Sequence, residues 1–531
     1  MRKFWNRFAA DRTGAIAIMV AGGIVVFVGF IGLATDAARG YIVKAKLSEA
    51  LDAAALAGGR VINSPNRDDD IRMYFNANFP ADYLGSTHSD PQIVTGADGR
   101  TITVSASADV PTTLMRVLGF NTMNVASQTE VTIDSKNLEV GMILDITASM
   151  AGQRVTDLKS AAGDLIDIVV QDQQTPFYSK IAIAPYNMGV NVGAYATQVR
   201  GAVNTTTKNI TGATRANPVV VTSANHGFAN GDKLFVTGVN GMTQLNNKPY
   251  LVASSTTNTF ALHNLDGTNV NGTSYSSYAS GGAAHCAWPG CQYFAFITQT
   301  GGVRTHQIST CVTERAGADA FTDTAPNVSP LGRNYPNTPG ATPTSSTPNP
   351  CLTNTIVPLT SDKIALHTAV NALAASGSTG GHIGVAWGWY LVSPNFGYLF
   401  PSESQPGAYG ARDLRKVAIL MTDGEYNSVY CSGVISKDST SGSGATSDHI
   451  NCNAPNGDAY TQAKTLCSNM RTAGITIYTV GLNVINTPAA QDLVQNCATD
   501  ASHVYLPADG TALKDAFHDI AIRVSQLRLS K

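Results

Sequence analysis

Asp145, Thr147 and Ser149 place one carboxylate and two hydroxyls at spacing two, directly after the short apolar run VGMILDI. Thr379 lies in the Gly-rich stretch GSTGGH, and Asp423 ends a second apolar run, VAILMTDGE. All five side chains offer hard oxygen atoms, the donor type that suits Mg²⁺ or a similar divalent cation such as Mn²⁺ or Ca²⁺. Only two of the five are carboxylates, so a bound cation stays electrophilic and keeps a position that an Asp or Glu of a partner can complete. Each element also has a plainer reading. Asp145 at a strand end can cap the next helix with help from Ser149, and TDG is a common turn. All of them together, in order and each at a strand or loop end, favour the cation site.

Enzyme chemistry finds less support. The chain has no P-loop, no HExxH and no GxSxG. His226, His285, His382 and His449 stand in Gly- or Asn-rich surroundings that predict loops. His382, three residues after Thr379, is at most an outer neighbour of the five oxygen donors. A hydrolase built on Ser149 would need a base that the sequence does not identify, so a non-enzymatic role is expected.

The elements that must position these residues are strands and helices in alternation. After VGMILDI, apolar residues from Val155 to Val169 recur at helical spacing, and KIAIAPYN is a second buried strand. Beyond a long interruption come a helix over residues 363–375, the strand KVAILMTDG, a helix over 460–471, the strand ITIYTVGL and a helix over 517–527. Apolar strands alternating with amphipathic helices predict an α/β fold, a mainly parallel sheet covered on both faces. The C-terminal ends of such strands converge on one crevice, which would gather Asp145, Thr379 and Asp423.

The interruption, residues 199–360, has two parts. Residues 210–283 read as short strands separated by turns, a small all-β module. The remainder holds Pro326, Pro330, Pro336, Pro339, Pro343, Pro348 and Pro350 among Ser, Thr and Asn, a composition that predicts an exposed loop.

At the other end, residues 14–35 run without a charge, long enough at ~1.5 Å per residue to cross a ~30 Å hydrocarbon core. Arg2, Lys3, Arg7 and Arg12 precede them against one acid, Asp11, which predicts a cytoplasmic N-terminus and the bulk of the chain outside. A retained anchor is favoured over a cleaved signal peptide or a pilin-type leader. The helical pattern continues, rich in Ala and free of Pro, to about Gly58, as a stalk or as a surface for a partner helix. TITVSASADV and MNVASQTEVTI then alternate as strands, a long helix followed by a small sheet in a pilin-like layout.

Eight cysteines, Cys286, Cys291, Cys311, Cys351, Cys431, Cys452, Cys467 and Cys497, all lie in the presumed external part and predict disulfides in an oxidising compartment. Eight cysteines allow about 105 pairings. A local Cys286–Cys291 loop is favoured over metal ligation, and Cys311 with Cys351 can staple the Pro-rich loop. Net charge is −2 and charged residues are 14% of the chain, with no basic stripe, so nucleic-acid binding is unsupported.

Three resemblances emerge from these residues. DITAS, Thr379 and TDG resemble the metal-ion-dependent adhesion site (MIDAS) of von Willebrand factor A (VWA) domains, D-x-S-x-S, then T, then D, with Thr147 in place of the usual Ser. The resemblance implies a Rossmann-like doubly wound sheet, and it implies that Asp145, Thr147, Ser149, Thr379 and Asp423 surround the ion directly or through water. DRTGAIAI…ATDAARGY…KAKLSEALDAAALAGG, GVAWGWYLVSPN and the closing LKDAFHDIAIRVSQLRLS resemble TadG-like proteins of the Flp/Tad pilus-assembly apparatus of bacteria. That resemblance also implies a Cys467–Cys497 pair. Residues 210–283, through HGF, NGD and G-M-x-x-L-N-x-x-x-Y-x-V, resemble small phage-tail β-modules related to the ubiquitin-activating-enzyme FCCH domain.

The domain organisation expected is an anchor and helical extension at 1–59 and a small α+β pilin-like region at 60–136. A discontinuous VWA domain follows at 137–198 and 361–531, interrupted by the β-module at 199–283 and the Cys/Pro-rich loop at 284–360. The function implied is a single-pass protein of the bacterial inner membrane, serving Tad pilus assembly and surface adhesion. Its bulk would be periplasmic or extracellular, and its cation site would bind an acidic group on a protein partner, such as a Tad component or a surface ligand. The alternative is a structural, pilin-like component with a vestigial metal site.

Overall fold

The structure, a computed structural model, describes residues 13–61, 64, 66–96, 99–132, 134–338, 348–526 and 529–530. The basic flank before Thr13, Pro339, Pro343 and Leu527 lie outside the described residues. Two compact units form, one from the residues before Lys136 together with Leu529–Ser530, and one from Lys136–Arg528.

In the first unit, helix α1 (Thr13–Arg60) is continuous. Its large apolar residues from Ile18 to Leu33 are exposed, and it is long and apolar enough to cross a membrane. Helix α2 (Arg67–Asn78) follows, then strands β1 (Thr87–His88), β2 (Gln92–Thr95), β3 (Thr101–Pro111) and β4 (Thr122–Thr132). Strand β3 pairs antiparallel with β1 and β2 along one edge and with β4 along the other. Alternate β3 residues, Ile102, Val104, Ala106, Ala108 and Val110, turn inward with the period of two that a strand imposes. They meet Val43, Leu47, Ala50, Ala54 and Ala55 of α1. The Ala-rich half of the helix is therefore neither a bare stalk nor a face left for a partner helix. Its small side chains seat it on the unit's own sheet.

The second unit is built on a six-stranded sheet. Strand β5 (Asn137–Asp145) lies between β6 (Ser179–Tyr186) and β8 (Leu414–Thr422), and β8 is followed by β9 (Thr476–Gly481) and β10 (Val504–Tyr505). These pairings are parallel, and β7 (Val357–Thr360) closes the β6 edge antiparallel. Leu138, Val140, Met142 and Leu144 of β5 face α3 (Gln153–Val169), α4 (Lys363–Asn371) and α8 (Gly510–Gln526). Ile143 faces the other side, where α5 (Gly381–Tyr390), α6 (Ala459–Thr472) and α7 (Pro488–Cys497) pack. The unit is mixed α/β with helices on both faces of the sheet.

Helices α5 and α7 are absent from the sequence reading. In α5 nearly every residue is buried, so GHIGVAWGWY shows no polar face to betray a helical period. Its glycines allow the close approach, since a Cβ on Gly384 would stand 2.4 Å from the Tyr186 ring and one on Gly388 2.1 Å from the Ile143 side chain.

Between β6 and β7, a seven-stranded antiparallel sheet spans Thr207 to Cys286 around its own core of Val219, Val221, Val236, Phe260 and Leu262. The Pro-rich region departs from the exposed loop expected of it. Gly332–Arg333 pairs with Cys311–Thr313, which pairs with Val190–Asn191. Tyr335 is fully buried, accepting from Gly290 N at 2.8 Å and donating to Cys291 O at 2.9 Å. Disulfides join Cys286–Cys291, Cys311–Cys351, Cys431–Cys452 and Cys467–Cys497. Of the four histidines expected in loops, His226 and His449 lie in loops and the other two do not. His285 lies in a strand, His382 in α5, and His226 and His449 are buried.

His306, on the strand Val303–Gln307, is buried against the Phe296 ring, and its Nδ1 lies 3.1 Å from Tyr335 O. Burial pushes its imidazole down to about 4 from the ordinary 6.5. The unfolded chain protonates this group first as pH falls. Stability is therefore full above pH 6.5 and is lost toward pH 4, by on the order of 3 kcal/mol. Urea unfolding at pH 7 and pH 4.5 should show this loss in the native chain and a smaller one in His306→Gln. Equal losses in the two proteins would rule it out.

Candidate metal centre

Strand β5 leaves the sheet at Asp145, and its neighbour β8 ends at Thr422, beside Asp423. The chain order turns about β5, with β6 on one side and β8 to β10 on the other, so these two strand ends flank the point where connections diverge. Such a point opens a crevice at the C-terminal edge of a parallel sheet.

Four of the five expected donors form a continuous chain of oxygens there. Thr147 donates its hydroxyl to Asp145 Oδ1 at 2.7 Å and its backbone N–H to the same oxygen at 2.9 Å. The Thr147 and Ser149 hydroxyls are 2.9 Å apart, and Ser149 donates to Asp423 Oδ1 at 2.7 Å. Thr379 stands on the loop before α5, tied in by backbone bonds from Ala148 N to Gly377 O and from Ser376 N to Ile146 O, both near 3 Å. Its own N–H donates to Asn427 Oδ1 at 2.8 Å, and its carbonyl accepts from the Asn427 and Ser428 amides. The loops carrying all five residues are thus fastened to one another.

The electrostatics favour a cation. Asp145 is fully buried, and its carboxyl is pushed up to about 6, first by that burial and then by the charge of Asp423. A divalent ion between the two carboxylates would relieve both causes. Six ligands at ~2.1 Å around Mg²⁺ place neighbouring oxygens ~3 Å apart, close to the spacing of this hydroxyl–carboxylate chain. The donor set fits such an ion. Among the described residues, no group of three His, Cys, Asp or Glu is placed to hold a metal, so any cation here would depend on the hydroxyls.

Several residues of the site escaped the sequence reading. Tyr186 donates to Asp145 Oδ2 at 3.1 Å and Thr422 to the same oxygen at 2.9 Å, fixing the carboxylate from behind. Thr422 adjoins the candidate donor Asp423, whereas nothing local marks Tyr186. Arg154, at the start of α3, donates from Nη1 to Asp423 Oδ2 at 2.8 Å. The arginine is 41% exposed while the aspartate side chain is 1% exposed, so the guanidinium reaches in from solvent. His382 is buried on α5 with its Nε2 3.6 Å from Glu314, and no hydrogen bond joins it to the five donors.

Residues 14–61 match a family model for Flp pilus-assembly TadE/G-like proteins. The N-terminal helix is TadE/G-like. Residues 216–287 match the ubiquitin-activating enzyme E1 FCCH domain, which covers most of the seven-stranded sheet. No curated protein matches the chain. Among solved structures, the vWF domain of the type V pili tip protein Mfa5 from Porphyromonas gingivalis is similar at 10% identity and a TM-score of 0.33, over 75% of this chain and 97% of that one. The pilus adhesin RrgA from Streptococcus pneumoniae gives 10% identity and a TM-score of 0.31, over 82% and 49%. The pilus adhesin SpaC from Lactobacillus rhamnosus GG gives 9% and 0.30, over 83% and 35%. The chain thus spans about a third of SpaC and half of RrgA, and the superpositions are loose. The TadE/G-like segment is therefore the apolar helix α1 itself, and the oxygen-lined crevice lies in the other unit.

Proposed function

We propose that this chain is a membrane-anchored bacterial envelope protein of Tad/Flp pilus assembly and surface adhesion, without catalytic activity. Helix α1 crosses the inner membrane with its N-terminus cytoplasmic. The second unit contains a doubly wound VWA domain, residues 137–198 with 361–531, interrupted by the β-module at 199–283 and the Cys/Pro-rich insertion at 284–360. Asp145, Thr147, Ser149, Thr379 and Asp423 hold Mg²⁺ or a related divalent cation, and a carboxylate of a protein partner completes its shell. The observation that carries this reading is the unbroken chain of oxygens from Asp145 through Thr147 and Ser149 to Asp423. The direct test is adhesion or pilus assembly with and without EDTA. Loss in EDTA and recovery on adding Mg²⁺ is expected, and unchanged adhesion in EDTA would sink the metal mechanism.

One contact favours the structural alternative, in which the site is vestigial. Arg154 already brings a positive charge to Asp423. If the site is functional, this arginine competes with the cation and swings out into solvent on binding. Arg154→Ala should then tighten Mn²⁺ binding about tenfold, a difference of about 1.4 kcal/mol. Titration calorimetry measures this, and a variant that binds no ion at all supports the vestigial reading.

A further inference from the structure

The hairpin joining β3 to β4 projects apolar side chains that the unit's core does not use. Val117, Leu118 and Phe120 are 84%, 54% and 60% exposed. Between Thr112 and Asn121 the only charge is Arg116, which is also exposed. The tip is well ordered by its own bonds, Thr112 N to Asn121 O at 3.0 Å and Phe120 N to Met115 O at 3.2 Å, with Gly119 at φ +94 turning the chain.

Its position along α1 gives these side chains a destination. The Asp36 carboxylate accepts the backbone N–H groups of Thr113, Leu114 and Met115 at 2.8, 3.1 and 2.9 Å. One turn along, Arg39 donates to Pro111 O at 3.1 Å and to the Thr113 hydroxyl at 2.6 Å. Gly40 lies against Met123, and Gly32 lies against Leu114, where a Cβ would stand 2.6 Å from that residue's own Cβ. The hairpin therefore runs alongside the helix toward its N-terminus. Its tip reaches past Asp36, the first charge after the apolar run, to Gly32, about 6 Å into that run.

We propose that this tip is a second membrane contact, seated in the interfacial layer of the lipid bilayer that α1 crosses. The inference rests on reading α1 as a membrane anchor. Val117, Leu118 and Phe120 occupy the depth where headgroups meet acyl chains, and Arg116 pairs with anionic headgroups there. Asp36 and Arg39 clamp the hairpin to the helix just above the hydrocarbon, so anchor and tip enter the membrane as one rigid piece. A tether would leave the first unit free to tilt, whereas this contact fixes its orientation.

The test uses the full chain reconstituted in phosphatidylcholine–phosphatidylglycerol vesicles. A polarity-sensitive fluorophore is placed on cysteines introduced singly by Val117→Cys, Phe120→Cys, Ile24→Cys or Val94→Cys, which is site-specific because all eight native cysteines are paired. Val94, on β2 at the far end of the sheet from the tip, is the aqueous control. Labels at 117 and 120 should be blue-shifted and quenched by lipids bearing the quencher high on the acyl chain. The label at 24 should be quenched by deep-placed quenchers, and that at 94 by iodide alone. Lipid quenching at 24 with iodide quenching at 117 and 120 would overturn the tip contact and leave the anchor standing. So would labels at 117 and 120 shielded from both quenchers, since a protein surface or a second copy then covers the tip. No lipid quenching at 24 would overturn the anchor reading and this inference with it.

Discussion

Replacing Asp145 by Asn should abolish divalent-cation binding, weakening Mg²⁺ or Mn²⁺ affinity at least about 100-fold, or about 3 kcal/mol, with the fold retained. The carboxylate heads the oxygen chain and is one of the two carboxylates in it. Removing it halves the charge available to the ion. An amide keeps the shape and retains one oxygen for the donors of Thr147, Tyr186 or Thr422. Ala would leave these buried donors unpaired, at about 1–3 kcal/mol each, and so mix a folding defect with the binding loss. Thermal unfolding gives an independent readout. A cation at 100 times its Kd stabilises the native chain by about 2.7 kcal/mol, and that increment should vanish in Asp145→Asn. An undiminished Mg²⁺-dependent rise in Tm for the variant would mean that these residues are not the cation site.

The second large effect lies at the opposite end of the same strands and touches stability alone. Lys416→Met should cost about 3–5 kcal/mol of folding free energy. Glu139 on β5 is completely buried and faces Lys416, its register partner on β8. Lys416 Nζ also donates to Val392 O at 2.8 Å, while Tyr178 OH and Gly407 N reach the other Glu139 oxygen at 2.9 and 2.8 Å. Burial holds the lysine below its usual range, partly offset by the adjacent glutamate. Deleting the lysine strands a carboxylate that neutral donors cannot compensate. The double variant Glu139→Gln, Lys416→Met should recover most of the loss, because the cost comes from the unpaired charge rather than from the missing pair. Urea midpoints of the single and double variants measure both, and a single variant within about 1 kcal/mol of native would sink the account. Cation affinity should be unchanged in either, since distant sites act independently.

Some of this molecule is legible residue by residue. The uncharged run at 14–35 marks a helix that can span a membrane, and the alternation in residues 101–111 marks a strand with one buried face. The runs Val140–Leu144 and Val417–Met421, which lead to Asp145 and Asp423, are apolar, as strand segments covered on both faces must be. Five candidate oxygen donors could be named because hydroxyls and carboxylates at strand ends and in a Gly-rich loop are a local pattern. What local pattern cannot carry is the partner across the fold. Arg154 meets Asp423 over 269 residues of chain, and Thr422 meets Asp145 over 277. Helix α5 shows no amphipathic period because it is buried all round, and only the ring of Tyr186 explains Gly384. The Pro-rich stretch has too few apolar residues to build a core of its own, yet Tyr335 finds one supplied by other segments. The Ala-rich face of α1 is small enough for a partner helix or a sheet, and the tertiary structure chose the sheet. Periodicity reports which face of an element is apolar; only the packed chain decides what that face meets.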